Sequence, residues 1–230
     1  MQAQDVMTRR VITVAEATPI EEVARLLAEH RISAVPVVDE GGGVAGIVSE
    51  GDLIGRLDEG GDRSRSWWLE LLSSPDVRAR EQLRSHGRTA GEVMSRQVVT
   101  CAEDTPIVEI ARRLEAHRIK RLPVIREGRL VGLVSRADLL RAFAATAPAT
   151  RSPTVADDRA LRQRLLDELE ATGMSYHPYV NIVVSDGEVH LWGLVANQRE
   201  AEALRSAAEH AAAGGAVHSH LAVRPASSAL

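Results

Sequence analysis

Apolar residues in this chain follow one rhythm, then another, and the same succession is spelled twice. Ile20, Val23, Ala24 and Leu27 recur at helical spacing, so residues from about 19 onward are predicted to form a helix with one apolar face. The short apolar run Val35–Val38 reads as a strand, Asp39–Gly43 as a turn, and Val44-Ala45-Gly46-Ile47-Val48 as a second strand. That strand ends in Ser49-Glu50-Gly51-Asp52 and runs into Leu53-Ile54, the start of another helix. The second statement has Ile107, Ile110, Ala111 and Leu114 on a helix, Leu122–Ile125 as a strand and Arg126–Gly128 as the turn. Leu130-Val131-Gly132-Leu133-Val134 follows, then Ser135-Arg136-Ala137-Asp138 and a helix through Phe143.

The match runs from Val6-Met7-Thr8 against Val93-Met94-Ser95, through Thr18-Pro19-Ile20 against Thr105-Pro106-Ile107, to His30-Arg31-Ile32 against His117-Arg118-Ile119. Each copy reads β-α-β-β-α. Thr18 is expected to cap the first helix, with Pro19 at its first position and Glu21 closing a capping box; Val108 stands where the second copy would need that glutamate. One copy of about fifty residues buries too little surface to be comfortable alone, so the two are expected to pack together.

A third pattern follows the small, Pro-containing stretch Ala144–Pro153. Leu161, Leu165, Leu166 and Leu169 form a helical stripe, and Val180, Ile182 and Val184 alternate as on a strand. Asp186-Gly187 is a hairpin turn into Val189, Leu191 and Gly193. Ala201, Leu204, Ala208 and Ala211 mark a slim helix, and Val217, Ser219, Leu221 and Val223 one face of a last strand. The expected class is α/β (α+β), with repeats at 1–57 and 92–145 and an α-β-β-α-β domain at 157–224. Linkers at 58–91 and 146–156 and a disordered tail at 225–230 complete the division. The first linker carries Trp67-Trp68, read as helix anchors rather than a partner surface, and a predicted helix over 77–86.

Composition changes this picture only by exclusion. The 230 residues carry a net charge of −4, so no global positive field invites nucleic acid; the arginines between Arg63 and Arg88 are interspersed with acids and read as a solvated face. A single cysteine excludes an internal disulfide framework. The first residues lack the basic start and apolar core of a signal peptide, and no stretch reaches the roughly 20 apolar residues of a membrane span. The expected location is cytoplasmic.

The repeated Ser-x-x-Asp is the motif with chemical content. On its own it is a helix cap, serine at the N-cap and aspartate bonding back from the third position. A helix start also presents unpaired N–H groups and partial positive charge suited to phosphate. A carboxylate placed there can accept both hydroxyls of a ribose. Both roles can coexist.

The two copies resemble a tandem pair of CBS domains, the Bateman module. The resemblance is carried by Asp5-Val6-Met7-Thr8, His30–Glu40, Gly46–Asp52 and Lys120-Arg121-Leu122-Pro123-Val124-Ile125. It implies a homodimeric, nucleotide-binding regulatory protein whose ligand is AMP, ADP, ATP or S-adenosylmethionine, with no metal. By the same resemblance Asp52 and Asp138 hold ribose, with Ser49 and Ser135 beside them. The adenine lies along Val11-Ile12-Thr13 and Val98-Val99-Thr100, which places Ile12, Thr13, Val99 and Thr100 in the sites. Lys120 and Arg121 face phosphate in the second copy, where the first has Ser33 and Ala34. Thr8 and Ser95 supply hydroxyls.

Residues 157–224 resemble a BON domain, carried by Val180-Asn181-Ile182-Val183-Val184-Ser185-Asp186-Gly187 and the strand after it. That resemblance implies an output or docking module binding a protein target or phospholipid. His190, His218 and His220 could gather round zinc or nickel but read more simply as solvent-facing positions. Cys101 reads as a small core residue, and no nucleophile motif, Walker A or Gly-x-Gly-x-x-Gly is present. The expectation is therefore an adenosine-nucleotide sensor and not an enzyme. Its rivals are a phospholipid-binding adaptor with vestigial nucleotide sites, a metal-dependent enzyme using the histidines, and a nucleic-acid binder using the basic linker.

Overall fold

Each copy of the repeat opens with a single helical turn before its first strand, α1 (Ala3–Val6) and, in the second, α4 (Ala90–Val93). The computed structural model describes residues 1–54, 89–145, 155–171 and 180–224. The paired tryptophans, the helix expected over 77–86, the arginines of the first linker, most of the second linker and the tail lie outside the described residues.

In the first copy α1 is followed by β1 (Val14–Ala15), α2 (Ile20–His30), β2 (Ala34–Val38), β3 (Val44–Ser49) and α3 (Glu50–Ile54). In the second, α4 is followed by β4 (Cys101–Ala102), α5 (Ile107–Ala116), β5 (Arg121–Arg126), β6 (Arg129–Ser135) and α6 (Arg136–Ala145). Each makes a three-stranded sheet, the first strand parallel to the second and the third antiparallel to it in the first copy.

The first strand of each copy is only two residues long. Val11-Ile12-Thr13 and Val98-Val99-Thr100 precede β1 and β4 as irregular chain. The capping box at Thr18 does not form either. Pro19 is the N-cap of α2 and no side chain caps that end; Thr18 Oγ1 instead accepts from the Ala15 amide at 3.1 Å, closing the turn behind β1. Thr105 makes the same bond to the Ala102 amide. A threonine hydroxyl that closes the preceding turn is turned away from the helix, and Glu21 then has nothing to reciprocate.

The leading segments are exchanged. Residues Met1–Val11 join Val99–Arg126 and Val131–Leu230 in one body, while Ile12–Val98 and Glu127–Leu130 make the other. In the first body, Ala3, Val6 and Met7 are buried in the second copy's core with Cys101, Ile110, Leu114, Leu122, Val124 and Val134. In the other, Ala90, Val93 and Met94 are buried with Val14, Val23, Leu27, Val35, Val37 and Val48. Glycine makes the exchange fit: a Cβ on Gly132 would overlap the Met7 side chain, and one on Gly46 that of Met94.

The third domain also belongs to the first body. Helix α7 (Val155–Ala171) leads to the antiparallel hairpin β7 (Val180–Ser185) and β8 (Glu188–Val195), then α8 (Gln198–Ala212) and β9 (Val217–Val223), parallel to β8. Asp186 and Gly187 both take positive φ, 55° and 77°, as the tight hairpin turn requires. Leu161, Leu165, Leu166 and Leu169 pack with Val180, Ile182, Val184, Val189, Leu191 and Leu204 on one sheet face. All six residues of β7 are buried, so its other face is covered as well, by α1 and α6. No helix among the described residues is long and apolar enough to cross a membrane.

Candidate functional site

Both Ser-x-x-Asp turns are reciprocal caps. Asp52 Oδ2 accepts from the Ser49 amide at 2.8 Å and from Ser49 Oγ at 2.6 Å, and the Asp52 amide returns a long bond to Ser49 Oγ. Asp138 repeats this with Ser135 at 2.8 and 2.7 Å. Thus one carboxylate oxygen in each copy is spent locally, and the other decides what the site can do.

The exchange of leading segments sorts the expected residues into two groups. Ile12, Thr13, Ser33, Ala34, Ser49, Asp52 and Ser95 fall in one body, and Thr8, Val99, Thr100, Lys120, Arg121, Ser135 and Asp138 in the other. Ser95 therefore serves the first copy, pairing its backbone with Ile47, and Thr8 serves the second, pairing with Leu133. The residues before the middle strands approach the caps through backbone: the Glu50 amide donates to Ser33 C=O, and the Arg136 amide to Lys120 C=O. The Lys120 side chain is exposed.

Here the two sites part. Asp52 is half-buried, and among the described residues its Oδ1 meets only Ser95 Oγ, at 3.4 Å. Asp138 is 3% exposed; its Oδ1 accepts from Arg141 Nη1 at 2.9 Å and from Asn181 Nδ2, on β7, at 2.7 Å. The same amide donates to Val6 C=O at 2.9 Å. The second copy's carboxylate is thus fully engaged, and the third domain supplies the last donor.

That contact is one of several. Arg162, 5% exposed, donates to the backbone oxygens of Gln4 and Met7 as well as to Ile182 C=O, and Arg159 grips Asp5 with two nitrogens. An arginine with several donors held in one plane suits such a carbonyl cluster. Asn181, Arg159 and Arg162 were not among the expected site residues. The signal in the sequence was the apolar run Val180–Val184, in which Val183 breaks strict alternation, as strands buried on both faces do.

One of the three histidines departs from expectation too, while His218 and His220 are exposed as expected. His190 is 8% exposed rather than solvent-facing. It stacks on His218 with ring centroids 4.6 Å apart, while His220 stacks on Trp192 at 3.7 Å. Burial, then the charges His218 and His220 can carry, pushes the His190 pKa below its ordinary 6.5 against an upward pull from Glu188. A depressed pKa means that between 6.5 and the folded value the unfolded chain binds the extra proton. Stability is then kept above pH 6.5 and lost as pH falls toward the folded value. Melting curves at pH 7.5 and 5.5 should show that loss, and His190→Asn should make it smaller. Cys101 is a core residue as expected; burial pushes its thiol up to about 11, despite Arg113 and Thr105, which keeps it a thiol rather than a thiolate at neutral pH.

Residues 3–59 and 90–145 match the family model for the CBS domain, and 157–225 that for the BON domain. An uncharacterized protein of Methanocaldococcus jannaschii, MJ1426, is 32% identical over 154 residues, covering 62% of this chain and 91% of that protein. The chloroplastic CBS domain-containing protein CBSX1 of Arabidopsis thaliana is 30% identical over 135 residues, covering 56% of this chain and 57% of the other. A homoserine O-acetyltransferase of Methanococcoides burtonii is 31% identical over 138 residues, but the match spans only 23% of that enzyme. Among solved structures, Arabidopsis CBSX2 in complex with AMP has 24% identity and a TM-score of 0.50, covering 64% of this chain and 99% of that one, a likeness of fold.

Proposed function

Because the chain belongs to the CBS-domain family, with a CBS pair followed by a BON domain, we propose that it is a non-catalytic regulatory sensor of an adenosine ligand. One observation carries the reading: the two ribose-type carboxylates stand in different states. Asp52 keeps an oxygen in reach of an incoming diol. Asp138 spends its own on Arg141 and on Asn181 of the BON domain. Ligand is therefore taken first at the Asp52 site, with Ile12, Thr13, Ser33, Ala34, Ser49 and Ser95 around it. A ribose reaching Asp138 has to displace the Asn181 amide, which makes the BON domain the output of the second site. Lys120 and Arg121 supply the charge for phosphate there. The relative CBSX2, 27% identical over 150 residues, was solved with AMP, which supports the ligand class.

The active unit of this reading is a homodimer. Val108 on α5 and Leu140 and Phe143 on α6 are 61, 69 and 81% exposed, and α5 and α6 flank a groove of about 440 Å³ lined by Ala111, Leu114, Leu139 and Leu140 with Glu115 and Arg136. Large apolar side chains left in water on neighbouring helices favour association. Calorimetric titration with AMP, ATP and S-adenosylmethionine, run beside light scattering, tests both statements. One tight equivalent of at least one ligand per chain and a dimer mass are expected. No binding by any of them would sink the sensor, and a monomer at tens of micromolar would sink the dimer.

A further inference from the structure

The free face of the BON sheet at β8 and β9 carries a donor set that the adenosine reading does not use. Val189 and Leu191 point into the core beneath α7 and α8, so Glu188, His190 and Trp192 project from the opposite face of β8. On β9, Val217 and Leu221 pack toward that same core, which turns His218 and His220 to the face of Glu188 and His190. The parallel register then sets His218 beside His190 and His220 beside Trp192. Alternation and register together bring two imidazoles and a carboxylate to one spot. One ligating atom from each of Glu188, His190 and His218 lies within 4.8 Å of the others.

We propose that Glu188, His190 and His218 bind a divalent cation of the zinc class. The donor set is two imidazole nitrogens and one carboxylate oxygen, the set that holds zinc while leaving a coordination position open. Imidazole-rich sites favour zinc, copper or nickel over magnesium or calcium, which take oxygen donors. Two features separate this group from an ordinary surface ion pair. His218 Nε2 and Glu188 Oε2 already stand 2.9 Å apart, sharing a proton where a metal would replace it. An ion pair of those two has no need of His190, yet His190 is 8% exposed and, among the described residues, neither of its ring nitrogens has a hydrogen-bond partner. A buried polar ring without a partner is a cost, and a cation at this spot gives one of its two nitrogens a partner.

Access is from solvent. The Glu188 and His218 side chains are 46 and 44% exposed, so a metal enters from their side and keeps a position for water or a partner's ligand. His220, its ring 6.1 Å from that of His190 and stacked on Trp192, lies outside the trio and buttresses the strand. A bound ion would tie β8 to β9 at the end where the hairpin turns.

The test is a zinc titration of the full chain against a competing chromogenic chelator, repeated for His218→Ala, Glu188→Gln and His220→Ala. Cobalt(II) absorption reports the geometry. One equivalent of zinc is expected, weakened by at least about 100-fold in His218→Ala and by at least about 10-fold in Glu188→Gln. His220→Ala should bind as the parent does. Circular dichroism of each metal-free variant checks that the sheet is intact; all three positions on β8 and β9 are partly or fully exposed, so folding should persist. Absence of a zinc equivalent in the parent overturns the proposal. So does unchanged affinity in both His218→Ala and Glu188→Gln, or a loss in His220→Ala as large as in His218→Ala.

Discussion

Asn181→Asp should unfasten the BON domain from the second CBS copy. The substitution keeps the side chain's shape but removes both amide donors, leaving Asp138 Oδ1 and Val6 C=O without them. It also sets a second carboxylate against Asp138, in a place where both residues are 3% exposed. An uncompensated buried charge costs about 3–5 kcal/mol, against about 1–3 kcal/mol for the lost hydrogen bonds alone. Hydrogen exchange should therefore accelerate in β7 and α1 by two to three orders of magnitude, at about 1.4 kcal/mol per tenfold, while the first copy is unaffected. Asn181→Ala should do less to docking but free Asp138 for ligand, so a second equivalent of adenosine ligand should appear in calorimetry. Unchanged exchange in Asn181→Asp would mean that the Arg159 and Arg162 contacts alone hold the domain, and that Asn181 is a bystander.

The two aspartates should answer to the same substitution in opposite ways. In Asp52→Asn the amide oxygen can still take the Ser49 bonds, so the cap survives and stability changes by no more than about 1 kcal/mol. Ligand affinity should fall by roughly 1.5–3 kcal/mol, on the order of ten- to a hundred-fold, because a diol now meets an NH2 where it had an acceptor. In Asp138→Asn the amide has only one oxygen for four donors: the Ser135 amide and hydroxyl on one side, Arg141 and Asn181 on the other. Whichever way it rotates, donor faces donor, and the change should cost about 3 kcal/mol of stability. Melting curves and titrations of both variants give the comparison. Equal stability loss in the two would show that the Asn181 contact carries no weight, and full affinity in Asp52→Asn would remove that carboxylate from the site.

Much of this protein is legible along the chain because it is local. The helices follow from apolar residues at 3.6 spacing, and the hairpin at Asp186-Gly187 follows from two residues that tolerate positive φ. The Ser-x-x-Asp turns form the caps expected of them, since both partners lie within one helical turn. The repeat itself is visible in residue identities alone. Even the local signals fail where two compete: Thr18 can cap the helix ahead or close the turn behind, and it closes the turn.

What the chain does not spell out is which surfaces meet. Nothing in the periodicity says that α1 and Met7 belong to the second copy's core, because pairing across the repeat is chosen by the fit of methionine over glycine on a sheet surface. Nor does it say that Asn181 stands against a carboxylate 43 residues earlier. The same Ser-x-x-Asp phrase yields a half-open carboxylate at Asp52 and a closed one at Asp138. The identical motif cannot encode that difference. It arises only when the outer face of β7 is brought over α6, and its physical origin is burial: inside, every oxygen of a carboxylate must find a donor, and the nearest donor belongs to another domain.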